Sequence, residues 1–169
     1  KTKDSVLWFK ASNKLAMNNL RLEAEKRNVD KDRLIFANDL PLDQHLARHS
    51  LASLGLDTFA FNGCSTSVFG LWAGMPILTK IGESFAARFT ASLLNSLGVP
   101  ELITYSKDEY EEVALKLANR PYELLDLKDK IKKARDTSPL FNSKLFTNDI
   151  EEIYLSLIDK HISNKSYLN

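Results

Sequence analysis

Short apolar runs alternate with amphipathic stretches along this chain as far as Lys107. Residues 5–9 (SVLWF), 34–37, 54–58, 76–79 and 102–104 are mostly apolar, too short for helices, and predict buried strands. Between them the period becomes helical. Residues 13–27 set Leu15, Leu20, Leu22 and Ala24 among charged neighbours, with Asn13 placed to cap the first turn. Residues 41–53 gather Leu42, Leu46 and Leu51 near one face, and Pro41 takes a first-turn position that it tolerates. Residues 66–73 predict a short helix stopped by Gly74, and residues 83–97 a longer one closed by Gly98. Beyond Lys107 the strands cease. Residues 108–119, 122–135 and 147–162 are charged amphipathic helices, with Pro121 between the first two and a turn at 136–139. Their charged runs are expected to be solvated faces. Trp8 and Trp72 lie in apolar contexts and are expected in the core.

Strands that alternate with helices are joined by crossovers and therefore run parallel. The fold class predicted is α/β, an open, doubly wound, Rossmann-like sheet, with residues 1–169 forming a single lobe. Ligands of such sheets bind at the carboxyl ends of the strands. The loops there are Lys10-Ala11-Ser12, Asn38-Asp39-Leu40, residues 59–65 and Lys80-Ile81-Gly82. The turn Asn62-Gly63-Cys64-Ser65-Thr66-Ser67 brings hydroxyls and backbone N–H groups to the start of a helix, a natural phosphate site.

Composition narrows the field. The net charge of +1 gives no electrostatic case for nucleic acid or an anionic membrane surface, and no apolar run is long enough to span a bilayer. The single cysteine, Cys64, excludes an internal disulfide and a cysteine-based metal site. Lys1-Thr2-Lys3-Asp4 does not lead into a signal peptide, and the cytoplasm is the expected compartment. A chain that starts at Lys1 and enters a strand almost at once reads as a fragment of a larger protein. If a strand that precedes Ser5 is missing, an exposed sheet edge is expected to make the fragment self-associate.

The segments NDLPLDQHLARHSLASLGLDT, NG-x-ST and LWAGMPILTKIGESFAARFTASLLNSLGVPELI, followed by SPLFNSKLFTNDIEEIYLSLIDKH, resemble the C-terminal half of the O-GlcNAc transferase family. The likeness is closest to bacterial members that follow tetratricopeptide repeats, and it extends to the SPINDLY-type transferases. The resemblance implies the donor-binding lobe of a GT-B glycosyltransferase. Such a protein transfers a sugar from a nucleotide donor, usually UDP-N-acetylglucosamine, to Ser or Thr hydroxyls of an acceptor protein. SPINDLY-type members use GDP-fucose instead. No metal or other cofactor is implied. The groups that act on the acceptor lie in the other lobe, so no catalytic residue is assigned here and the fragment alone is expected to be inactive.

The resemblance also implies site residues. His45 and Arg48, at i and i+3 on one helix, would meet the base together with the backbone around Leu40 and Pro41. Cys64, Ser65 and Thr66 would hold the diphosphate. Phe69 stands where many members carry the Asp that binds the ribose hydroxyls, Cys64 where animal enzymes have His, and Leu42 where they have Lys. A phenyl ring accepts no hydrogen bond from a hydroxyl. These departures leave a second reading open, a non-catalytic scaffold with a degenerate donor site. A third is a flavodoxin-like regulatory domain with Asp57 as phosphoacceptor, against which stands the lack of an acidic cluster after the first strand. Cys64 as a helix-activated nucleophile is a weaker reading than a binding role. Lys10, at the end of the first strand, reads as a surface lysine ahead of a pocket-facing one; Lys80, Glu83 and Arg88 follow the fourth strand, and Glu83 reads as a residue that favours a helix N-terminus.

Overall fold

The computed structural model describes residues 2–10 and 13–165. Ala11 and Ser12 of the first predicted loop lie outside them. In chain order come β1 (Leu7–Phe9), α1 (Lys14–Glu25), β2 (Leu34–Phe36), α2 (Leu42–His49), β3 (Gly55–Leu56), α3 (Ser65–Trp72), β4 (Ile77–Lys80), α4 (Phe89–Ser96), β5 (Ile103–Thr104), α5 (Lys107–Ala118), α6 (Pro121–Thr137) and α7 (Ser143–Lys165). Asn13 caps α1 by accepting from the Ala16 N–H at 2.8 Å. Gly74 and Gly98 close α3 and α4 at φ +81° and +70°, the left-handed conformation that a helix stop of this kind uses.

All described ladders are parallel, and they form two groups. β1 pairs with β2 in the register Leu7↔Leu34, Trp8↔Ile35 and Phe9↔Phe36. β4 is the middle strand of the other group, between β3 and β5. The core belongs to the second group. Leu71 of α3, Leu78 of β4, Leu94 of α4, Leu102 and Ile131 of α6 are almost wholly buried and pack into one cluster. Parallel strands covered on both faces read as unbroken apolar runs, as Ile77 and Leu78 do.

The first group is thinly covered. β1 and α1 contain no buried residue, and of β2 only Leu34 is buried. Trp8 and Trp72, expected in the core, are instead 38% and 44% exposed. Trp8 lies on β1, a strand with no buried residue. Trp72 points outward from α3, edge-on to Phe141 at 5.1 Å and beside the Arg135 guanidinium at 5.2 Å.

Residues 83–88 also depart from expectation: they form turns, and α4 begins at Phe89. Helix would need their carbonyls to accept along the chain. Here the Ala86 carbonyl accepts from the Asn62 N–H and the Ala87 carbonyl from the Gly82 N–H, each at 2.9 Å. Tertiary partners thus take what a helix would use, and Glu83 sits away from any helix start. At the other end, α7 begins four residues earlier than its sequence pattern suggests.

The unequal burial has a measurable consequence. Leu94→Ala should cost about 2–5 kcal/mol of unfolding free energy in urea titrations, the usual range for a large buried side chain. Leu15→Ala, on exposed α1, should change it by no more than about 0.5 kcal/mol.

Candidate functional site

The residues singled out above lie in the loops at the carboxyl ends of β2 and β3 and on the helices that follow. On α2, His45 and Arg48 share a face, as their spacing requires. Arg48 reaches back across the helix start: its Nη1 donates to the Asn38 carbonyl and its Nη2 to His45 Nδ1, both at 2.6 Å. A guanidinium has no acceptor. His45 Nδ1 must therefore be the bare nitrogen, and the ring's proton lies on Nε2. His49 is fixed in the opposite sense, because its Nδ1 lies 2.6 Å from the His45 carbonyl and must donate to it. Burial, helped by the positive charge of His49 and Arg48, lowers the His45 pKa below its ordinary value of 6.5.

α3 carries the other half. Phe69 meets His45 edge to face, with ring centroids 6.2 Å apart, and the two histidine rings stand at 4.5 Å. Gly70, one residue on, lets α3 press against Met75 and against Ile77 of β4. A Cβ there would lie 2.6 Å from Met75 Cε and 3.1 Å from Ile77 Cδ1, with His49 Cδ2 at 3.7 Å. Ser65 precedes Phe69 by four residues and so shares its face of α3. α2 and α3 thus meet through the His45–Phe69 contact.

The turn ahead of α3 is pinned from several sides. Asp57, directly after β3, accepts at Oδ1 from the N–H groups of Thr58 (2.9 Å) and Gly63 (2.8 Å), and at Oδ2 from the Thr79 hydroxyl (2.7 Å). From α4, the Thr90 hydroxyl donates to the Gly63 carbonyl at 3.2 Å. Asn62 is buried and donates through Nδ2 to the Thr58 carbonyl at 2.7 Å. A Cβ on Gly63 would meet Ser67 Oγ at 2.4 Å and Thr66 Oγ1 at 2.8 Å, so any larger residue must turn those hydroxyls aside. Cys64, Ser65 and Thr66 remain exposed at the helix start, and no side chain caps it.

Of the remaining predicted residues, Leu40, Pro41 and Leu42 line the open approach to α2, all exposed. Lys10 forms an ion pair with Asp39 at 2.5 Å in full solvent. Lys80 donates to the Ile81 carbonyl at 3.1 Å and lies 5.8 Å from the Phe59 ring. Asp57, which the sequence offers only in the disfavoured flavodoxin-like reading, has both its oxygens committed to the turn and to β4. The signal was present in the Asp57-Thr58 pair at a strand end, a common start for a side-chain-closed turn. Among the described residues no three His, Cys, Asp or Glu side chains gather as a metal site, and no helix is long and apolar enough to cross a membrane.

A parallel α/β sheet with a pinned turn and an open helix start at its carboxyl ends is the nucleotide-side architecture of GT-B glycosyltransferases. The family model for glycosyl transferase family 41 matches residues 1–150, and the chain belongs to that family. It is 34% identical over 149 residues to the UDP-N-acetylglucosamine–peptide N-acetylglucosaminyltransferase of Caenorhabditis elegans, covering 88% of this chain and 13% of the relative. It is 34% identical to a tomato (Solanum lycopersicum) relative, a probable transferase of the same description named SPINDLY, over 81% of this chain and 14% of the relative. A solved structure of a mutant Thermobaculum terrenum O-GlcNAc transferase superposes with a TM-score of 0.78 at 30% identity, over 84% of this chain and 27% of that one. The chain thus spans well under a third of the proteins that it matches.

The His45 shift sets a pH dependence. A histidine whose folded pKa is lowered adds stability that is present above its ordinary value of 6.5 and is lost as pH falls through the lowered one. Chemical denaturation should therefore show weaker folding at pH 5 than at pH 7.5. In His45→Asn the difference between the two should shrink.

Proposed function

We propose that this chain is the donor-binding lobe of a protein O-glycosyltransferase that takes a UDP-N-acetylglucosamine-type donor and modifies Ser or Thr hydroxyls of an acceptor protein. The observation that carries the reading is the meeting of a base-side face on α2 with an uncapped helix start on α3, at the carboxyl ends of a family 41 sheet. In this reading the base lies against α2, with the His45 Nε2–H and the backbone near Leu40 and Pro41 toward its polar edge and Arg48 holding His45 in that form. The diphosphate lies over the first turn of α3, where Cys64, Ser65 and Thr66 supply N–H groups and the two hydroxyls. The positive end of the helix stabilises the charge that develops on the leaving diphosphate. Phe69 covers the ribose side without bonding to it. The reacting groups belong to the rest of a longer, cytoplasmic protein, one that also carries tetratricopeptide repeats, and the chain alone is inactive.

One observation favours a second reading, a transferase-like scaffold. Phe69 offers no acceptor to a ribose, and its ring is already engaged by His45.

Calorimetric titration with UDP and GDP separates the two. The donor-lobe reading expects UDP to bind, GDP to bind at least about tenfold more weakly, and Thr66→Val to weaken UDP. Phe69→Asp should tighten UDP by at least about tenfold, since a hydrogen bond to a charged group contributes about 1.5–3 kcal/mol. Binding of UDP to Phe69→Asp but not to the original chain would establish the scaffold reading. Silence from both would overturn the donor-lobe assignment for this chain.

The thin cover over β1 bears on the isolated chain. Val6 is 62% exposed, Leu7 50% and Ile35 43%, on strands beside an unpaired edge. Such edges recruit further strands. Light scattering at high protein concentration should give a mass above that of one chain, and a steady monomer would refute this.

A further inference from the structure

We infer that Asp57 is a positioning residue for the donor turn, acting through shape and not through its charge. The inference rests on the donor-lobe reading only where nucleotide binding is concerned. Every polar atom of Asp57 is engaged. Its N–H extends the β3–β4 ladder by donating to the Leu78 carbonyl at 3.0 Å. Its carbonyl accepts from the Tyr110 hydroxyl of α5 at 3.1 Å. Its carboxylate takes two backbone N–H groups of the loop and one hydroxyl of β4. One residue thus ties the sheet, α5 and the turn into a single frame.

The choice of an acid here is at first sight unfavourable. A carboxylate beside the place where a diphosphate would sit repels it. What Asp57 supplies in return is an acceptor at a fixed position that holds the Gly63 N–H inward. With Gly63 held from both sides, by Asp57 at its N–H and by Thr90 at its carbonyl, the chain enters α3 with the helix start facing out. The turn is then ordered before a ligand arrives, and binding does not have to supply that order. Use of the acid as a phosphoacceptor or as a partner for ligand hydroxyls would compete with these three bonds.

Asn at this position tells shape from charge. Its Oδ1 can accept from Gly63 and Thr58 as the acid does, and its Nδ2 can donate to Thr79, whose hydroxyl then turns to accept. Asp57→Asn should leave amide exchange at Gly63 and Thr58 within about threefold of the original chain, and should bind UDP as tightly or a few-fold more tightly. Asp57→Ala should speed exchange at Gly63 and Thr58 by at least tenfold while the amides of Leu94 and Val99 keep their rates, and should weaken UDP at least tenfold. Thr79→Val removes only the hydroxyl side of the clamp. It should give a smaller effect of the same kind and serves if Asp57→Ala does not fold. Loss of UDP binding in Asp57→Asn, or unchanged Gly63 exchange in Asp57→Ala and Thr79→Val, would overturn the inference. If the original chain binds no UDP yet the exchange pattern holds, the donor-lobe reading fails and the positioning role stands.

Discussion

The structure depends on the enclosure of β4. This strand pairs on both edges, and Ile77, Leu78 and Thr79 are shut away from water on both faces. Polar backbone buried to that degree has to find partners, and here it finds them in its neighbours. The Pro76 carbonyl takes the Gly55 N–H, the Leu78 carbonyl takes that of Asp57, and the Thr79 carbonyl takes the Thr104 hydroxyl. Because the faces and edges of β4 are spent in this way, chemistry can be placed only at its end. That is where the pinned turn, α3 and the loop before α4 gather.

The two strand groups differ in how much holds them. Around β4, α3 to α6 enclose a continuous apolar cluster. Around β1 and β2, the binding forces are a short ladder, the Arg33 side chain bonded to the Ser5 carbonyl and hydroxyl, and the packing of Phe9 on Phe36 at 4.9 Å. α2 joins the two, since it follows β2 and packs against α3. His45 and Arg48 therefore sit between a firm half and a lightly held one. The relatives that the chain matches are several times its length, and apolar positions on α1 and β1 are left open to solvent.

Much of this could be read from the sequence because it is local. The apolar runs place every strand, Asn13 and the two glycines place helix ends, and long ordered motifs identify the family. What could not be read is set by partners far along the chain. Residues 83–88 have helical composition, yet Asn62 and Gly82 claim the Ala86 and Ala87 carbonyls. Trp8 has a core residue's neighbours in sequence and little above it in space. Asp57 is one acid among many until Gly63 and Thr79 close on it. Family likeness names His45, Arg48 and Phe69 as site residues, but the proton's place on His45 and the ring contact with Phe69 follow from geometry alone.

The bond from Arg48 to His45 reaches further than its length suggests. By occupying Nδ1 it leaves the imidazole a single further polar atom, Nε2, and that atom carries hydrogen. The ring becomes a one-way reader. It greets an oxygen or a bare nitrogen and turns away an amino group. In the donor reading proposed above, discrimination among planar partners would thus be set by Arg48, a residue that takes no part in the contact.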